Sequence, residues 1–107
     1  MFDEMTAEAI ADRLHNGDNL LLIDVREPAE WELASIAGAE QRSMSTLNEW
    51  WQDVPTDRDV VIFCHHGGRS AHVCTMLASQ AGLPNLINMA GGIDRWSLVV
   101  DPNVPRY

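Results

Sequence analysis

The chain has no lysine. Its seven cations are all arginine, set against sixteen aspartate and glutamate residues, for a formal net charge of -9 over 107 residues. Binding to nucleic acid needs clustered cations that displace counterions, so this balance argues against a nucleic-acid partner. It argues equally against an anionic membrane surface. No stretch approaches the roughly 18 consecutive apolar residues of a membrane span. Met1-Phe2-Asp3-Glu4-Met5 lacks the basic-then-apolar order of a secretory signal. A soluble, cytoplasmic protein is the resulting expectation. Cysteine is scarce: Cys64 and Cys74 are the only two. A small secreted domain stapled by disulfides uses more. Both are expected to be free thiols. Repeats, low-complexity tracts and internal linkers are also missing.

What the chain does have is 46% apolar residues, enough to fill one core, at a length that suits one domain spanning 1–107. Two short, nearly continuous apolar runs, Leu20 to Val25 and Val60 to Phe63, read as strands covered on both faces. Asn85 to Met89 reads as a third strand, and a brief one is expected near Ala39 to Gln41. Between them lie helical signals. Thr6 caps a helix over Ala7 to Leu14, closed by Asn16-Gly17-Asp18. Pro28 opens a short helix through Trp31 and Leu33. Ser45 or Thr46 caps another with Leu47, Trp50 and Trp51, broken by Pro55-Thr56-Asp57. Ser70 to Ala81 carries Val73, Leu77 and Ala81 on one stripe, with Gly82 as its cap and Pro84 beyond. Gly91-Gly92 starts a last helical turn through Ile93 and Trp96. The tail from Asp101 to Tyr107 is Pro-broken and irregular. Strands alternating with helices imply an α/β fold, a mainly parallel sheet with helices on both faces, whose functional edge lies beyond the carboxyl ends of the strands.

Cys64 stands at such an end. It follows a buried strand and opens Cys64-His65-His66-Gly67-Gly68-Arg69-Ser70, which leads into a helix. A helix N-terminus carries unpaired N–H groups and a partial positive charge. A glycine-rich turn lets successive N–H groups converge on one point. Together these form an anion pocket, and a thiol at its centre is stabilised as its own thiolate. Arg69 adds a permanent charge and a fork able to grip an oxyanion bidentately. This local chemistry makes Cys64 the candidate nucleophile rather than a buried cysteine closing a strand.

Four segments in order then resemble the rhodanese-like sulfurtransferases in their single-domain form. Asp24-Val25-Arg26-Glu27 resembles the family's Asp-x-Arg segment. Ile36-Ala37-Gly38-Ala39 is similar to its His-Ile-x-Gly-Ala turn, with Ser35 where the pattern has His. Cys64 to Ser70 resembles the active-site loop, and Gly91-Gly92-Ile93-Asp94-Arg95-Trp96 the Gly-Gly-x-x-x-Trp segment. The resemblance implies a rhodanese-like fold and a ping-pong cycle. Cys64 takes a sulfur atom from a small donor such as thiosulfate, becoming a persulfide, and passes it to cyanide, a thiol or a partner protein. It implies that the backbone of His65, His66, Gly67, Gly68 and Arg69, with Ser70, holds the persulfide. No cofactor is implied, because the sulfur rides on Cys64.

Loop length separates this from phosphatase chemistry, which uses a Cys-x5-Arg loop, usually with His before the Cys. Here the spacing is Cys-x4-Arg and Phe63 precedes Cys64. A sulfur-relay or regulatory module acting on a partner protein shares the same loop and stays open. His65, His66, His72, Cys64 and Cys74 lack the paired spacing of a structural zinc site, so no metal is expected. Cys74, mid-helix among small and apolar residues, reads as core. Asp24, Arg26 and Gly91 are candidates to support the loop from behind; Asp24 and Arg26 read alternatively, and by preference, as an ion pair that holds local structure. The tryptophans read as packing, with Trp96 also a candidate wall of the pocket.

Overall fold

A computed structural model describes residues 2–107. Its five strands are β1 (Asp3–Thr6), β2 (Leu21–Asp24), β3 (Glu40–Gln41), β4 (Val60–Phe63) and β5 (Leu86–Ala90). All pair in parallel, in the order β1-β5-β4-β2-β3. The helices are α1 (Ala7–His15), α2 (Pro28–Leu33), α3 (Leu47–Trp50), α4 (Gly68–Gln80) and α5 (Gly92–Val99), with short 3-10 turns flanking α3.

Every residue of β2 and β4 is buried, as an apolar strand sandwiched by helices requires. Alternate strand residues serve opposite faces. Leu22, Val61, Phe63, Ile87 and Met89 pack with Ala7 and Ile10 of α1 and Ile93 and Trp96 of α5. Leu21, Ile23, Val60, Ile62 and Leu86 pack with Trp50 of α3 and Val73, Cys74 and Leu77 of α4. The α/β expectation thus holds, with α1 and α5 on one face and α3 and α4 on the other.

Three details differ from the sequence reading. β1 was not anticipated: three of its four residues are exposed, and β5 is its one strand partner. Thr6 ends that strand and also caps α1, its side chain accepting from the Ala9 amide at 3.1 Å. α5 runs eight residues rather than one turn. α4 begins at Gly68, not Ser70, because Gly67 (φ 113°) supplies a left-handed cap that few other residues adopt.

The turn after β2 is fastened by a fully buried ion pair. Asp24 and Arg26 have no solvent exposure. The Arg26 Nε donates to Asp24 Oδ1 at 2.9 Å and Oδ2 at 3.0 Å, and its backbone N–H donates to Asp24 Oδ1 at 3.0 Å. The remaining guanidinium donors reach the carbonyls of Ala34 (2.6 Å) and Glu30 (3.2 Å) and the hydroxyl of Tyr107 (2.9 Å). Arg26 therefore ties β2, the first turn and the C-cap of α2, and Tyr107 into one unit. Removing one partner of such a pair strands a buried charge. Arg26→Met is expected to cost about 3–5 kcal/mol of stability, read from the urea midpoint of the full chain; a loss below about 1 kcal/mol would show that the pair fastens nothing.

Candidate active site

Cys64 follows β4 and lies at the N-terminus of α4, where the sequence places it. Its side chain is buried and unbonded to Cys74, and both thiols are free. The sulfur accepts from the Gly67 amide at 3.1 Å, the Ser70 amide at 3.4 Å and lies 3.4 Å from the Ser70 hydroxyl. Two backbone donors thus converge on the sulfur. Among the described residues, the amides of His65, His66, Gly68 and Arg69 make no hydrogen bond within the protein. They are the donors the loop leaves for a ligand.

The loop keeps this shape because α5 grips it from behind. The Ile93 amide donates to the Cys64 carbonyl at 2.9 Å, and the Asp94 amide donates to the His65 carbonyl at 3.1 Å. That approach needs Gly92. A Cβ there would sit 2.5 Å from the His65 oxygen and closer still to that of Cys64, and its φ is +59°. Gly91, the residue singled out from the sequence, serves differently: its φ of +82° caps α5, and a Cβ would press on Arg95.

Ser70 belongs to a chain of polar groups that sequence reasoning missed. Its hydroxyl donates to Asn88 Oδ1 at 2.6 Å, and Asn88 Nδ2 donates to Glu4 Oε2 at 2.8 Å. Asn88 is a buried polar residue in the middle of β5. A polar side chain inside an apolar strand needs a buried partner, and that was the available signal.

Arg69 is placed otherwise than expected. Its fork is already filled: Nη1 donates to Glu30 Oε1 at 2.6 Å and Nη2 to Glu30 Oε2 at 2.9 Å. Glu30 is positioned by the first turn of α2, where it also accepts from the Glu27 amide in a capping box. The Arg69 guanidinium holds the Glu30 carboxyl down at about 2, and Glu30 in turn raises Arg69 above the usual arginine range. No local sequence signal pairs two residues 39 positions apart.

The tail is irregular, as expected, but Tyr107 closes over the loop. Its ring stacks on His65, centroids 3.9 Å apart, with His66 stacked on the other side of His65 at 3.9 Å. Its hydroxyl donates to Glu30 Oε2 at 2.7 Å while accepting from Arg26. Asp24 and Arg26 make no hydrogen bond to the Cys64 loop among the described residues, so their links to it run through Tyr107 and Glu30. Burial, with the neighbouring His66, pushes the His65 pKa down.

His65, His66 and Asp94 bring ligand atoms within 4.8 Å of one another. They are the described residues able to share a cation, though Asp94 is held by Arg106 at 2.9 Å. His72 lies apart, in an apolar groove with Leu47, Trp51 and Met76. Cys74 is core: burial pushes its thiol up to about 12. Trp96 packs between the sheet and α1 rather than walling the loop.

The sequence pattern of the rhodanese-like domain matches residues 6–98. The chain belongs to the rhodanese-like family. A sulfurtransferase from Allochromatium vinosum is 37% identical over 97 residues, covering 91% of this chain and 90% of that protein. The probable adenylyltransferase/sulfurtransferase MoeZ of Mycobacterium tuberculosis is 34% identical, covering 96% of this chain but 26% of its own length. The crystal structure of a rhodanese-related protein from Thermoplasma volcanium superposes with a TM-score of 0.83 at 31% identity, covering 99% of this chain and all of that one. Sulfur transfer is the chemistry that this rhodanese-like membership supports.

Two outcomes test the site's architecture. Gly92→Ala is expected to displace the loop and destabilise the fold by about 1–3 kcal/mol, with Cys64 alkylation losing its native rate. The depressed Glu30 adds stability that is complete above its unfolded value near 4.5 and is lost as pH falls toward about 2. The stability gap between wild type and Glu30→Gln, measured by urea titration, should therefore close over that window.

Proposed function

We propose that the protein is a sulfurtransferase that carries sulfur as a persulfide on Cys64. The observation that carries this reading is the sulfur of Cys64 held by the Gly67 and Ser70 amides at the head of α4, with further loop amides free beside it. The thiolate attacks the outer sulfur of a donor such as thiosulfate. A bond forms from Sγ to that sulfur, the bond to sulfite breaks, and sulfite leaves with the electron pair. The terminal sulfur of the Cys64 persulfide then carries negative charge, which the amides of His65, His66, Gly68 and Arg69 are free to bind. A nucleophilic acceptor takes that sulfur and returns Cys64 as thiolate. Cyanide serves in an assay, and a thiol or a partner protein in a reducing compartment such as the cytoplasm.

Phosphatase chemistry is disfavoured by the same geometry. A tetrahedral phosphate needs the guanidinium that Glu30 occupies. The relay reading, in which the acceptor is one specific protein, draws on MoeZ, where the matched segment is a quarter of a longer chain. It shares every step at Cys64 and differs only in the acceptor.

Intact-mass measurement after incubation with thiosulfate or inorganic polysulfide should show a species heavier by one sulfur atom, removed by dithiothreitol and missing in Cys64→Ala. Failure to form it with either donor would overturn the persulfide mechanism. Turnover to cyanide by wild type favours the free enzyme, whereas an adduct that only a protein acceptor discharges favours the relay.

A further inference from the structure

The Cys64 loop carries one cation, and the fold has spent it. Glu30 binds Arg69 through two parallel hydrogen bonds of 2.6 and 2.9 Å. The carboxylate is itself fastened on two further sides, by the Tyr107 hydroxyl and by the Glu27 amide. The side chains are 35% and 21% exposed; α4 is anchored in the core by Val73, Cys74 and Leu77, and α2 is held by Arg26 through the carbonyls of Glu30 and Ala34. The other charges around the loop cancel likewise. Asp94 is matched by Arg106 at 2.9 Å. His65 is stacked between the rings of His66 and Tyr107. A donor approaching Cys64 meets backbone amides, no uncompensated guanidinium, and a chain of formal charge -9.

Thiosulfate is a dianion that must approach a thiolate and release sulfite, another dianion. Such an encounter gains from an open cation and loses where that cation is neutralised. We infer that Glu30 is a specificity-determining residue: by filling the Arg69 fork it disfavours small dianionic sulfur donors and selects organic hydropersulfides, whose leaving group carries less charge. The inference rests on the proposed function and names its donor class. With such a donor, R–S–SH, the Cys64 thiolate attacks the terminal sulfur. The Sγ–S bond forms, the S–S bond of the donor breaks, and R–S⁻ leaves with the electron pair, while the proton stays on the transferred sulfur. No oxidant or reductant is needed.

Charge at the Cys64 approach can be read without any sulfur transfer. Iodoacetamide and iodoacetate alkylate a thiolate by the same displacement of iodide and differ in one negative charge. Their rate ratio at Cys64, followed by peptide mapping so that Cys74 is scored separately, reports the local potential. In Glu30→Gln the iodoacetate rate should rise by about threefold relative to iodoacetamide. The same potential acts twice on a dianion, so kcat/KM for thiosulfate should rise by about tenfold. The value for 2-hydroxyethyl hydropersulfide should change by less than about twofold. Arg69→Gln leaves Glu30 bare and should move the alkylation ratio the opposite way, which keeps the test decisive if one variant folds poorly. An unchanged ratio in a folded variant overturns the role of Glu30, whatever the sulfur chemistry. A shifted ratio supports it, and a missing Cys64 sulfur adduct would then overturn sulfur transfer instead.

Discussion

Two amides of α5 hold the carbonyls of Cys64 and His65, and the rest of the site depends on that grip. With those carbonyls turned toward Ile93 and Asp94, the loop's own N–H groups are left facing away from the helix that binds it. The first turn of any helix carries unpaired N–H groups. In α4 the Ser70 N–H, joined by that of the capping Gly67, reaches a sulfur atom, and those of Gly68 and Arg69 stay free. In α5 they are spent on the loop that presents the sulfur. One helix end makes the anion pocket and the other makes it rigid. Both lie at the same edge of the molecule because β4 and β5 run parallel, so the helices that follow them start side by side. Gly92 is the price of that closeness, since no side chain fits between the helix end and the two carbonyls it holds.

Behind this loop stands the Asp24–Arg26 pair, whose value is positional. Burying two charges gains little over a well-packed apolar pair, but the five donors of an arginine can satisfy several backbone acceptors at once. Arg26 uses them to fix Ala34 and Glu30 at the far side of α2 and Tyr107 at the end of the chain. Tyr107 then stacks on His65, and Glu30 takes Arg69. A pair with no hydrogen bond to the reactive loop thus sets two of the groups that border it.

The parts of this arrangement that were legible in the sequence are the local ones. Val60 to Phe63, Cys64, two glycines and the start of a helix are contiguous, and their chemistry follows from helix-end dipoles and glycine conformations. The parallel sheet followed from continuous apolar runs, which only two-sided burial explains. β1 escaped because Asp3, Glu4 and Thr6 are exposed edge positions, held by backbone pairing that leaves no hydrophobic pattern. Glu30 and Tyr107 escaped for another reason. Their partners stand 39 and 81 positions away, and no periodicity encodes which carboxylate will meet which guanidinium. The sequence reading of Arg69 as a free oxyanion fork was sound chemistry applied to a residue whose partner was out of view.

That correction changes what the site is built to hold. A loop of backbone amides binds charge through many small, fixed dipoles, whereas a guanidinium binds it through one large, mobile cation. With Arg69 committed to Glu30, the recognition left to the loop is of the first kind: short in reach, centred on Cys64, and weak toward charge farther out. In the proposed mechanism this favours a persulfide sulfur among the amides over a sulfonate group farther out. The proposed donor preference follows from that contrast: the ion pair at the start of α4 takes away the one cation that would answer the donor's outer charge and leaves the amides to hold the transferred sulfur.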